Sequence, residues 1–287
     1  MDDYLPYDIT GVSPSKQVKE TFDEYYVPEL EKCGFVRKKG IWVRKKGTIF
    51  QAFGRDGMCI RYFIHPFWIN KQEETPCYDY IAYNRKGSLR MSTCYNINFP
   101  ETVSPIFAPK ESLEYFKDSF LTKLENVDSE VAYLDYCRTT DDQILVNDYL
   151  VLYVSYLKGS IDYAKDYIEE AFQKCYLREY ECVFKMISKA FKGIESGNYY
   201  TWDTPRPRQG AFVTKEDIEL YNQGISPEEH AKSEAERYLE SVKEVRFNVV
   251  ERFLESKSHD YSVVLDYQSR KSDEMRSILK IEYGLDF

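Results

Sequence analysis

The sequence predicts an α+β protein in which an N-terminal helix packs on an antiparallel β-meander sheet and an α-helical half follows. Three observations carry that expectation. The hydrophobic period changes from helical to two at Gly34–Phe35, short β-rich runs alternate with glycine-bearing turns, and a helical period resumes after Pro100, Pro105 and Pro109. The proline segment divides the chain into a sheet domain over 1–109 and a mostly helical domain over 110–287, with a loop at about 197–213.

Residues 15–33 read as the first helix, with Ser13 or Ser15 as cap, Pro14 in the first turn and Val18, Phe22, Tyr25, Tyr26 and Leu30 on one stripe. Pro28 interrupts it, by a kink or break at Val27 or by an early end and restart, and Gly34 stops it. Strands follow at 35–38, 41–46, 48–53 and 58–65, separated by Lys39-Gly40, Lys46-Gly47 and Gly54-Arg55-Asp56-Gly57. The clearest alternation is Leu89, Met91, Thr93, Tyr95, Ile97 and Phe99 against polar neighbours, a strand with one covered face for which the first helix is the nearest cover.

Past the prolines, Leu113, Phe116, Phe120, Leu121 and Leu124 make a helix face. Asp141 and Asp142 open a second helix through Tyr156, and Gly159-Ser160 turns it into a third through Ile161, Ala164, Ile168 and Phe172, an αα-hairpin. A fourth run spans 177–194 and leads into the loop containing Trp202-Asp203-Thr204-Pro205-Arg206-Pro207-Arg208. That loop reads as a structured crossover, against the alternative of a polyproline-type segment presenting Arg206 and Arg208. Ser226-Pro227-Glu228-Glu229 then starts a long helix reaching about Ser256. A faint tetratricopeptide-like pattern at 157–164 has no second copy.

Composition narrows the function. With 43% hydrophobic and 16% aromatic residues among 287, the chain is expected to fold, and no apolar run approaches the roughly 18 residues of a membrane span. The opening MDDYLPYDIT has no signal-peptide character, so a cytoplasmic location is expected and no membrane partner. The seven cysteines are scattered without CxxC spacing, and Cys175 and Cys182 fall on one helical face as core thiols. Three dispersed histidines give no zinc pattern. No metal and no cofactor are expected. Phosphate-loop, dinucleotide, nucleophile-elbow and HExxH motifs are absent, and no catalytic residue is assigned.

Charge divides unevenly. Residues 1–110 hold 16 Lys and Arg against 13 Asp and Glu, and the remainder 23 against 35. From Lys32 to Arg55 there are eight basic residues and no acidic one, with Arg37, Lys38, Lys39 and Arg44, Lys45, Lys46 flanking Ile41-Trp42-Val43. This basic hairpin, 37–46, reads first as a solvated edge. Charge beside Trp42 also suits an anion or nucleic acid, or an acidic protein. Alternation separates Arg44, on the Trp42 face, from Lys45. His65-Pro66-Phe67-Trp68 ends a strand on which Arg61 and Phe63 share the face of His65, a candidate ligand-lining group for which packing is the commoner explanation. The binding candidates are therefore Arg37, Trp42, Arg44, Lys45, Arg61, His65 and Trp68.

The stretch from Val27 to Arg44, followed by Ile49-Phe50-Gln51, resembles the bacterial family called domain of unknown function 4304. The resemblance consists of a helix ending in Leu-x-x-x-Gly-Phe, basic residues, a turn and an aromatic strand, and covers roughly 15–100. It implies a small bacterial α+β domain and supplies no catalytic residues; the long helical extension departs from a minimal version. The 26 tyrosines lie mostly on helical stripes, where they suit core rims and protein recognition. The favoured function is a non-enzymatic protein-interaction module, immunity- or antitoxin-like, that binds a basic protein partner through an acidic, tyrosine-rich surface. Nucleic-acid or anion binding through the basic hairpin is the alternative, and a motif-less enzyme around Arg61, His65 and Trp68 comes third.

Overall fold

The computed structural model describes residues 13–38, 40–56, 58–69, 95–140, 146–204 and 210–286. The fold class is α+β, with an N-terminal helix on an antiparallel meander and a largely helical remainder. Packing divides the chain into one unit from 1–140, 145–157 and 260–287, and another from 141–144 and 158–259. Pro109 lies inside the first of these units. The helices that follow Pro109 bury their apolar faces on the sheet, and so belong with it.

The first helix is built in three pieces: α1 (Pro14–Thr21), a π-helical turn (Phe22–Tyr26) and α2 (Val27–Lys32). Pro28 has no N–H to donate and its ring clashes with the carbonyl four residues back, so the chain widens by one residue rather than breaking. Val27 N–H donates to Phe22 O, five residues back. The wide turn also serves packing. Val18, Phe22, Tyr26 and Leu30 recur every four residues, which would drift around a regular α-helix, yet all four are buried.

Strands β1 (Val36–Lys38), β2 (Ile41–Lys46), β3 (Ile49–Asp56) and β4 (Cys59–Pro66) form the meander, and β5 (Tyr95–Asn96) adds to β4. Trp42 pairs with Phe53, Arg44 with Gln51 and Phe53 with Tyr62, which sets one face. Strand β3 runs through Gly54 to Asp56, past the start of the expected turn, and Asp56 still pairs with Cys59. Of the long alternation at 88–99, residues 88–94 lie outside the described residues, and Tyr95 and Asn96 pair with Tyr62 and Arg61.

The Trp42 face is covered from two directions. Phe22 stands edge-on to Trp42 at 5.1 Å, and Phe116 from α3 (Pro109–Phe116) meets Phe53 at 5.1 Å and Tyr26 at 4.8 Å. Tyr26 donates to Ser112 Oγ at 2.7 Å, and burial pushes its hydroxyl up to about 12. A second π-helical turn (Lys117–Leu121) leads to α4 (Thr122–Glu125). It places Phe116 and Leu121, five residues apart, on one buried face. Helix α5 (Glu130–Thr139), capped by Ser129 on Ala132 N–H, was not singled out from its sequence. The opening expected at Asp141–Asp142 lies outside the described residues, and α6 spans Asp148–Lys158.

In the second unit the third and fourth expected helices are one, α7 (Ile161–Ser196), of 36 residues. No glycine or proline interrupts it before Gly193, and Gly197 ends it in the left-handed conformation. Gly159, left-handed at φ 62°, and Ser160 separate α6 from α7, where the sequence puts the turn. Cys175 is buried but Cys182 is exposed, because the buried stripe passes to Val183 and Ile187. The loop at 197–213 carries a short parallel pair, β6 (Tyr199–Tyr200) and β7 (Ala211–Phe212), before α8 (Lys215–Asn222), which has a Thr214/Asp217 capping box. Residues 205–209, with Arg206 and Arg208, lie outside the described residues.

Helix α9 (Pro227–Val245) starts as expected, with the reciprocal Ser226/Glu229 box. It ends at Val245, short of the expected Ser256. Phe247 turns left-handed, φ 56°, which sets its ring against Phe172 at 5.6 Å and Tyr167 at 6.4 Å, and α10 (Asn248–Glu255) follows. The last helix, α11 (Ser262–Tyr283), returns to the sheet unit, where Tyr267 stacks on Tyr149 at 3.8 Å.

The β2–β3 turn explains one glycine. Gly47 has φ 57°, a Cβ there would collide with the Asp128 carbonyl oxygen, and the next residue donates Thr48 N–H to that same oxygen at 3.0 Å. Gly47→Ala is expected to destabilise the sheet unit by more than about 1 kcal/mol, read as a lower urea midpoint with unchanged slope.

Candidate functional site

Arg44 is 8% exposed, although it stands in the most basic run of the chain. It shares the Trp42 face of β2, and helices cover that face, so its charge is taken up internally. Nε donates to Gln51 Oε1 at 2.9 Å, and Nη1 donates to Cys33 O and to Glu125 Oε1, each at 2.6 Å. The guanidinium lies 4.4 Å from the Phe35 ring centroid. Gln51, fully buried, is held by its own amide, which donates to Leu124 O and Val127 O at 3.0 Å. Lys46, next on that face, is bound to Glu125 Oε2.

Glu125 therefore serves two cations. Burial pushes its carboxyl up, but the hydrogen bonds from Lys46 and Arg44 and their charges outweigh this, and the pKa falls below its ordinary 4.5. The Cys33 thiol is pushed up, first by burial and then by Glu125, which makes it a poor nucleophile.

The other predicted residues are dispersed. Arg37 is exposed and lies over the Trp42 ring at 5.3 Å. Lys45 is on the opposite face, with its ammonium 5.1 Å from the Phe67 centroid; Arg276 of α11 lies 5.4 Å from that ring. Arg61 pairs with Gly54 and Asn96. His65 has no exposure at all and is set against Phe63 at 5.3 Å and Tyr133 at 5.1 Å. Trp68 is buried, donates Nε1–H to Glu130 Oε1 at 2.8 Å, and meets Tyr153 and Tyr267 edge-on. Thr48 donates to the other Glu130 oxygen at 2.6 Å. The structure thus brings Arg37, Trp42 and Arg44 to one face of β1 and β2, and sends Lys45, Arg61, His65 and Trp68 elsewhere.

Among the described residues no group of three or more His, Cys, Asp or Glu is placed to hold a metal ion, and no helix is long and apolar enough to cross a membrane.

Sequence reasoning missed Glu125, Gln51, Glu130 and Thr48. Gln51 had a signal, a lone amide within Ile49-Phe50-Gln51-Ala52-Phe53; Glu125, 81 positions from Arg44, had none. The loop of the second unit, read from the sequence as a structured crossover, also carries an aromatic cluster that sequence reasoning did not single out. There Trp202 is 85% exposed and stands edge-on to Phe212 at 4.8 Å, with Tyr200 at 5.5 Å from the same ring. Its backbone is pinned: Thr204 Oγ1 accepts from Thr201 N–H at 2.7 Å, Val213 N–H donates to Tyr200 O at 2.9 Å, and Asp203 faces Lys215 at 3.8 Å.

Comparison with known proteins finds no matching family model, no matching curated protein and no matching solved structure.

Two outcomes follow for the buried polar groups. Trp68→Phe, which leaves a Glu130 oxygen without its indole donor, is expected to cost about 2 kcal/mol in equilibrium unfolding. For Glu125, a lowered folded-state pKa gives stability that is present above 4.5 and is lost as pH falls through the lowered value. The stability gap between wild type and Glu125→Gln is expected to be widest at neutral pH and to narrow on acidification, as read from urea midpoints across pH 3 to 7 (about the carboxylate range).

Proposed function

We propose that the chain is a non-enzymatic protein-interaction module whose docking element is the aromatic cluster of Tyr200, Trp202 and Phe212, and whose partner is a basic protein. One observation carries this reading: an indole 85% exposed, yet held on a hydrogen-bonded scaffold beside Phe212. Exposed tryptophan and tyrosine on a fixed backbone supply large contact area at small entropic cost, and such residues dominate binding energy at protein interfaces. The excess of acidic residues after position 110, 35 against 23 basic, supports electrostatic steering of a basic surface toward the chain. An immunity- or antitoxin-like role fits these properties, and the resemblance at residues 27–44 supplies a bacterial setting for it without an activity.

The nucleic-acid reading loses support where it was strongest. Arg44 and Lys46 are both committed to Glu125 and cannot track a phosphate backbone.

Tagged wild type and Trp202→Ala, recovered from native cell extract after nuclease treatment and a salt wash, separate the alternatives. A stoichiometric basic protein is expected with wild type, its affinity falling at least about tenfold in the variant while the thermal midpoint stays put. A partner held equally by both forms would sink the reading, and so would nucleic acid as the sole salt-sensitive companion.

A further inference from the structure

Arginine carries five N–H donors and no acceptor, and indole one donor and no acceptor. In Arg44 the Nε and both Nη1 donors are engaged, by Gln51, Cys33 and Glu125. Its Nη2 is buried with no hydrogen-bond partner. So is Nε1 of Trp42, two residues earlier on the same strand face. Trp42 is 5% exposed. Native proteins rarely leave buried donors unsatisfied, so two on one face mark a place that an acceptor completes.

Charge narrows what that acceptor is. Arg44 and Lys46 share Glu125, Lys32 holds Glu29, and Arg37 lies over the Trp42 ring. Four cations thus stand against two carboxylates around the strand. The donors are also held in place. Phe35 lies against the guanidinium, Gln51 is clamped by two carbonyls, and Phe22, in the π-helical turn, stands edge-on to the indole.

We propose that Arg44 Nη2 and Trp42 Nε1 are the donor pair of a binding site for a small oxyanion, either a carboxylate or an inorganic anion of the phosphate type. Both side chains are buried, which excludes a polyanion tracking along the strand. The site is independent of the aromatic loop, and neither proposal depends on the other.

The direct readout is the Trp42 indole cross-peak in 1H–15N spectra of the 15N-labelled full chain, identified by its loss in Trp42→Phe. Sodium acetate and sodium phosphate are titrated separately, with sodium chloride at matched ionic strength as reference. The peak is expected to move saturably with at least one oxyanion, while the Trp68 peak, donated to Glu130, stays in place. A response to acetate alone assigns a carboxylate ligand, and one to phosphate alone an inorganic anion. Arg44→Lys keeps the charge but removes Nη2, and is expected to weaken the titration at least about tenfold. A wild-type Trp42 peak that stays fixed, or follows chloride equally, overturns the site whether or not the variant folds.

Discussion

A guanidinium taken out of water must recover its lost hydration from neighbours, or the fold that buries it is unstable. Arg44 recovers it from three directions at once: a strand amide at Gln51, the carbonyl of Cys33 just past the first helix, and the Glu125 carboxylate at the end of α4. Gln51 passes the constraint on to Leu124 and Val127. One side chain therefore fixes where the first helix ends, how β2 and β3 are registered, and where the helix after the prolines sits. A slip of β2 by one residue would carry Arg44 to the opposite face and strand the whole set.

That requirement makes sense of the irregular helices. The first helix must keep Val18, Phe22, Tyr26 and Leu30 on the sheet while delivering Cys33 O to Arg44, and Pro28 lies in its path. The α3–α4 helix must keep Phe116, Leu121 and Leu124 inward while delivering Glu125. Each solves its problem with one π-helical turn, an inserted residue that re-phases the apolar stripe without ending the helix. The same economy of shape explains Phe247. A left-handed residue inside a long helical pattern is strained, and the aromatic contact with Phe172 and Tyr167 offsets that strain.

Local periodicity made the architecture legible. The change of period at Gly34, the glycine turns and the Ser226-Pro227-Glu228-Glu229 start are interactions among near neighbours, and each is found close to where the sequence puts it. What the sequence did not disclose is long-range. Arg44 sits in a charge run and reads as solvated, because the carboxylate that neutralises it is 81 positions away. The packing units are long-range in the same way: prolines mark where the chain turns, whereas the units depend on which faces Phe116 and Tyr267 find. The break at Phe247 depends on rings from another helix, so the uninterrupted amphipathic pattern gave no warning of it.

The three tryptophans show how one chemical group takes three roles. An indole brings a large apolar ring and a single donor, so its environment has to satisfy both. Trp68 is satisfied on both counts, with its ring among Tyr153 and Tyr267 and its N–H on Glu130, and it is architecture. Trp42 has its ring enclosed by Phe22 and Arg37 but its donor unsatisfied, a deficit that a small acceptor removes. Trp202 has the reverse deficit, a ring left in water on a backbone that is already organised, and only another apolar surface removes that. The two deficits differ in kind, one polar and enclosed, the other apolar and open. They call for ligands of different size and chemistry, and so the two proposed sites are separable rather than one.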